Sequence, residues 1–86
     1  MSRKYNFCAG PSALPTDVLN DLKDEILDFQ GHGLSTMEMS HRSKEFVEIA
    51  ETAKQDLIDL LDVNDNYEVL FIQGGASLQF SMVPMN

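Results

Sequence analysis

An α/β fold, present only in part, is what this sequence predicts, and three observations carry the prediction. The run VLFI at 69–72 is continuously apolar, as a strand covered on both faces by helices requires. It leads into Gly74 and Gly75 and then into a helical segment, the strand, turn and helix of an α/β unit. Two amphipathic helical stretches precede it, and no second strand is evident to pair with it. A lone core strand with three helices leaves apolar surface without a partner, so we expect a truncated piece of a larger protein. The rival is a self-contained helical domain with a short hairpin-like strand.

Residues 1–15 read as an arm. Tyr5, Phe7, the Gly10-Pro11 pair and Pro15 favour an extended or turning chain over a helix. From Thr16 the apolar residues Val18, Leu19, Leu22, Ile26 and Phe29 recur at helical spacing, with Thr16 as N-cap, Asp17 in the first turn and Gly31 as the stop. The stretch GHGLSTMEMSHRS at 31–43 is small and polar but carries Leu34, Met37 and Met39, which predicts an ordered loop of the kind that often bears function. A second helix is predicted over 43–61, its stripe formed by Phe46, Ile49, Ala50, Ala53, Leu57, Leu60 and Leu61. The cluster DVNDN at 62–66 turns the chain into the strand at 67–72. A third helix should open near Ala76 or Ser77, and Pro84 should kink or end it after about two turns.

The 86 residues, 43% hydrophobic, match one small domain at most. Six basic against fourteen acidic residues give a net charge of −8, which argues against a nucleic-acid or anionic-membrane surface. The acids are spread along the two predicted helices and read as solvated faces. Cys8 is the sole cysteine, so no internal disulfide forms and a reducing cytoplasm fits. No signal peptide, membrane span, repeat or low-complexity tract is evident.

Two constellations bear on chemistry. Gly74, Gly75, Ala76 and Ser77 offer backbone amides and one hydroxyl at a helix start, a cradle for an anion favoured by the helix dipole. The spacing matches neither G-x-x-x-x-G-K-[ST] nor G-x-G-x-x-G, so a cofactor phosphate remains the candidate ligand. An ordinary α/β connection, with Ser77 as a simple helix cap, is the bland counterpart. Ser40, His41 and Arg42 form the second constellation. The Arg42 guanidinium suits a carboxylate or phosphate, and an ion pair with Glu38 or Glu45 is its bland counterpart. His41 can hydrogen-bond an anion. His32 reads as a loop residue and Cys8 as a packed small residue, and no metal site is supported.

Jointly, NFCAGPSALP at 6–15, GLSTMEMSHRSKEF at 33–46 and YEVLFIQGGASLQFSMVPMN at 67–86 closely resemble the N-terminal part of the phosphoserine-forming members of the class V aminotransferase group. The three segments occur in the family's order and spacing. The resemblance implies a fold-type-I α/β transferase, with 1–15 as an N-terminal arm and 16–86 as the first, incomplete part of the cofactor-binding domain. It implies pyridoxal 5'-phosphate as cofactor and amino transfer between L-glutamate and 3-phosphohydroxypyruvate in L-serine biosynthesis, shared in bacteria with pyridoxine biosynthesis. A cytoplasmic homodimer is the implied full-length form.

By the same resemblance Gly75, Ala76 and Ser77 hold the cofactor phosphate, while Arg42, His41 and Ala9 lie on the substrate side. Ala9 stands where some relatives have serine, leaving only its backbone, and Ser77 where some have arginine, leaving amides and a hydroxyl. The family's Schiff-base lysine, ring-stacking aromatic and pyridine-nitrogen aspartate fall beyond residue 86. None of Lys4, Lys23, Lys44 and Lys54 sits in a motif that replaces that lysine, so no catalytic residue is assigned and this chain alone is expected to be inactive. A small non-catalytic anion-binding module that reuses the GGAS turn is the alternative.

Overall fold

Three α-helices and one short 3-10 turn make up the regular structure, in a computed structural model that describes residues 2–86. They fall in two compact units, an N-terminal one ending at Glu48 and a C-terminal one, Ile49–Asn86.

In the N-terminal unit, helix α1 spans Thr16–Glu25. Pro15, not the expected Thr16, takes the cap position, and its carbonyl accepts from the Leu19 amide at 3.1 Å. The Thr16 hydroxyl instead accepts from the Arg3 guanidinium at 3.0 Å, and the same nitrogen donates to the Leu14 carbonyl at 2.9 Å, so the arm is tied to the start of α1. The helix also ends short of the predicted Gly31. The Phe29 amide is drawn to the Leu34 carbonyl at 2.9 Å, and Asp28 Oδ1 accepts from the Gly33 amide at 2.7 Å. Residues 28–34 thus spend their hydrogen bonds on a closed loop, through Gln30 at φ 49° and Gly31 at φ 81°.

The 3-10 turn, Thr36–Glu38, is fixed by a capping box. Ser35 Oγ accepts from the Met37 amide at 3.1 Å, and Glu38 Oε1 accepts from the Ser35 amide at 3.1 Å. Ser35 is the one buried residue among those described, at 6% exposure.

Helix α2 spans Lys44–Leu61, within one residue of the prediction. Ser43 serves its first turn by accepting from the Phe46 amide at 3.2 Å. At its end Asp62 adopts φ 52° and the Val63 amide donates to the Ile58 carbonyl at 3.0 Å, a Schellman closure. The Tyr67 amide then donates to the Asn64 carbonyl at 3.1 Å, and the Asn66 amide to Asn64 Oδ1 at 2.9 Å, which turns the chain as DVNDN predicts. Lys54 of α2 pairs with Glu68 just beyond this turn.

The strand expected at 67–72 is absent, and the described residues contain no strand. A strand exists only as one side of a hydrogen-bonded ladder, and no other segment here supplies the opposite side. Helix α3 then spans Ala76–Met85, starting where predicted. It runs through Pro84, because a proline in the last turn forfeits a single interior hydrogen bond. No apolar side chain is buried among the described residues, so the stripes of α1 and α2 remain partly or largely exposed. No helix is long and apolar enough to cross a membrane.

Candidate functional site

The cradle is built by a change of backbone conformation across two glycines. Gly74 stands at φ 107°, in the region that L side chains rarely adopt, and Gly75 returns to an extended φ of −137° as the cap residue of α3. The first intrahelical bond runs from the Gln79 amide to the Gly75 carbonyl at 3.1 Å. The amides ahead of Gln79 have no intrahelical acceptor, and no side chain caps them. Ser77, expected as a possible cap, instead lies inside the first turn of α3, because Gly75 occupies the cap position.

Three features make this start receptive to an anion. No acidic residue lies in the first turn, despite the net charge of −8. The helix dipole points its positive end there. Space beside Gly75 is open, with nothing within 4 Å of where a Cβ would stand. Amides, one hydroxyl, small side chains and the absence of negative charge together fit a phosphate.

Arg42 and His41 belong to the N-terminal unit, in the turn that enters α2. The Arg42 amide donates to Ser40 Oγ at 3.2 Å, and Ser43 returns two bonds to the Ser40 carbonyl, from its amide at 3.0 Å and its hydroxyl at 2.8 Å. This closed turn leaves the His41 and Arg42 side chains exposed. The ion pairs among the described residues are Lys23 with Asp24 at 3.9 Å and Lys54 with Glu68, so neither Glu38 nor Glu45 holds the Arg42 guanidinium. Glu38 is committed to the Ser35 amide. The Arg42 guanidinium therefore has no ion-pair partner among the described residues.

Ala9 lies in a bend of the exposed arm, next to Cys8, whose amide donates to Asn6 Oδ1 at 3.0 Å. Cys8 is itself exposed rather than packed. Tyr5 and Phe7 stack in parallel with centroids 6.5 Å apart. His32 is a loop residue as expected, its Nδ1 2.8 Å from the Phe29 carbonyl and its ring stacked on Phe29. A hollow of about 220 Å³ beside it is lined by Leu34, Met39, Ser40 and Ser43, and neither His41 nor Arg42 lines it. No group of three potential metal ligands occurs among the described residues. The Ser35 to Glu38 box that engages Glu38 is not among the sequence expectations, although S-T-M-E at 35–38 carries its signature.

Comparison with known proteins adds family evidence to this geometry. The Aminotransferase class-V family matches residues 4–86. Phosphoserine aminotransferase of Acinetobacter baylyi is 64% identical over 84 residues, which cover 98% of this chain and 23% of that protein. The enzyme of the same name from Halalkalibacterium halodurans is 59% identical over 86 residues, all of this chain and 24% of its own length. The solved structure of PLP-bound phosphoserine aminotransferase from Trichomonas vaginalis is 44% identical, with a TM-score of 0.92 over 98% of this chain and 23% of that one. The chain thus spans about a quarter of the length of the curated relatives it matches.

Proposed function

This chain belongs to the Aminotransferase class-V family, and on that premise we propose that it is part of a pyridoxal-phosphate-dependent phosphoserine aminotransferase. The reaction is amino transfer between L-glutamate and 3-phosphohydroxypyruvate in L-serine biosynthesis, with a shared role in pyridoxine biosynthesis. The observation that carries this reading is 64% identity over 84 residues to a relative of that name. The PLP-bound neighbour and the receptive start of α3 support the cofactor.

Bound pyridoxal phosphate supplies the electron sink for amino transfer. The chain's own residues bind and orient. The amides of Gly75 and Ala76, with the amide and hydroxyl of Ser77, take the cofactor phosphate, stabilising its charge by hydrogen bonds and the helix dipole without a basic side chain. Arg42 presents a planar pair of donors to the substrate's anionic group, and His41 assists at the substrate phosphate. Ala9 contributes only backbone. Residues 16–86 form the first part of the cofactor-binding domain and 1–15 its arm. The lysine that carries the cofactor is supplied outside the 86 residues, and the working form is a cytoplasmic homodimer.

Steady-state kinetics of a full-length protein carrying this segment test the proposal. Arg42→Ala removes charge-assisted hydrogen bonds worth about 1.5–3 kcal/mol, so KM for the phosphorylated keto acid should rise roughly ten- to a hundredfold. An unchanged KM removes Arg42 from the substrate site. A protein that takes up no pyridoxal phosphate overturns the whole reading.

A further inference from the structure

Gly74 and Gly75 are neighbours of identical chemistry, yet the chain constrains them differently. At Gly74 the φ of +107° excludes most side chains, and a Cβ built there would stand 2.5 Å from Leu78 Cδ2 and 3.0 Å from Leu78 Cβ. At Gly75 the backbone is extended and nothing lies within 4 Å of a Cβ. Glycine is therefore demanded at 74 by the protein itself, whereas at 75 the protein leaves room.

Leu78 lies in the first turn of α3, four residues after Gly74, and its isobutyl group occupies the space that a Cβ on Gly74 would fill. Glycine is the residue with the widest backbone freedom, so without the Leu78 side chain beside it Gly74 would let the turn wander and scatter the amides that follow it. Preorganised donors bind more tightly than donors that must first be ordered.

We propose that Leu78 is a positioning residue for the cofactor phosphate: by closing over Gly74 it holds the turn that aims the amides of Gly75, Ala76 and Ser77, and the open side of Gly75 receives the phosphate. The proposal rests on the cofactor reading above and adds a residue that never touches the ligand.

Titration of the full-length apoprotein with pyridoxal phosphate, followed by absorbance, tests it alongside the melting midpoint of the apo form. Leu78→Ala should weaken affinity about tenfold, the scale of a small misplacement of binding groups, and Leu78→Met should restore most of it. Gly75→Ala should leave the apo midpoint unchanged and still weaken binding. Should Leu78→Ala not fold, Leu78→Val makes the same comparison with a shorter side chain. Wild-type affinity in Leu78→Ala, or in Leu78→Val where it stands in, overturns the positioning role, and wild-type affinity in Gly75→Ala overturns the placement of the phosphate. A wild-type protein that binds no pyridoxal phosphate removes the function proposed above and this proposal with it, whereas normal wild-type binding with unaffected variants removes this proposal alone.

Discussion

Asp62 carries two local penalties at once. It holds φ 52°, where a Cβ crowds the following carbonyl, and its carboxylate sits just past the C-terminus of α2, where the helix dipole disfavours negative charge. Glycine relieves both, at the cost of a more flexible unfolded chain. Asp62→Gly in the full-length protein should therefore gain about 0.5 kcal/mol, read as a higher midpoint in urea. A lower midpoint would mean that the carboxylate has a favourable partner outside these residues. A contrast of the same kind separates Arg42 from the ion pair expected as its bland counterpart. The sequence places Glu38 and Glu45 close by, but only the folded turn reveals that Glu38 is bound to the Ser35 amide.

Among elements, α2 was the most legible, because its apolar periodicity and its end signals agree over 18 residues. The start of α3 was legible for the same reason, a glycine pair followed by a helical run. The end of α1 was not, since Phe29 continues the periodicity while its amide is captured by Leu34 across a loop. The link between α2 and the segment after it is the Lys54 to Glu68 pair. The hydrogen bond to Glu68, and then its charge, hold the Lys54 ammonium above the ordinary lysine range. A raised folded pKa means that the pair's stabilisation is fully present below the unfolded lysine value, about 10.4, and is lost as pH rises through the folded one. Thermal melts of full-length wild type and Lys54→Met should accordingly differ at pH 7 and converge in strong alkali. A difference that persists there would assign Lys54's effect to packing of its aliphatic stem.

At the scale of the whole chain, burial is the dominant fact. Phe71 is 60% exposed and Phe80 81%, and no apolar side chain is enclosed among the described residues. An 86-residue protein in this state lacks the burial that offsets conformational entropy. Studied alone it should bind a hydrophobic dye, melt without a cooperative transition and elute as an associated species, while a monomer with a sharp melt would contradict this. Here the sequence was legible only halfway. The apolar run at 69–72 announces that it must be covered, which predicts a strand, but pairing is a property of two segments and the described residues hold a single side of it. The same holds for the site, whose glycine cradle and arginine turn are local and visible, while their joint arrangement with a ligand is not written in either. The unladdered stretch at 67–72 also has a kinetic consequence. In a full-length protein carrying this segment, docking into the same chain would be first order, whereas edge-to-edge pairing with another copy is second order. Dilution therefore favours the native partner, and refolding yield becomes a matter of concentration before it is one of stability.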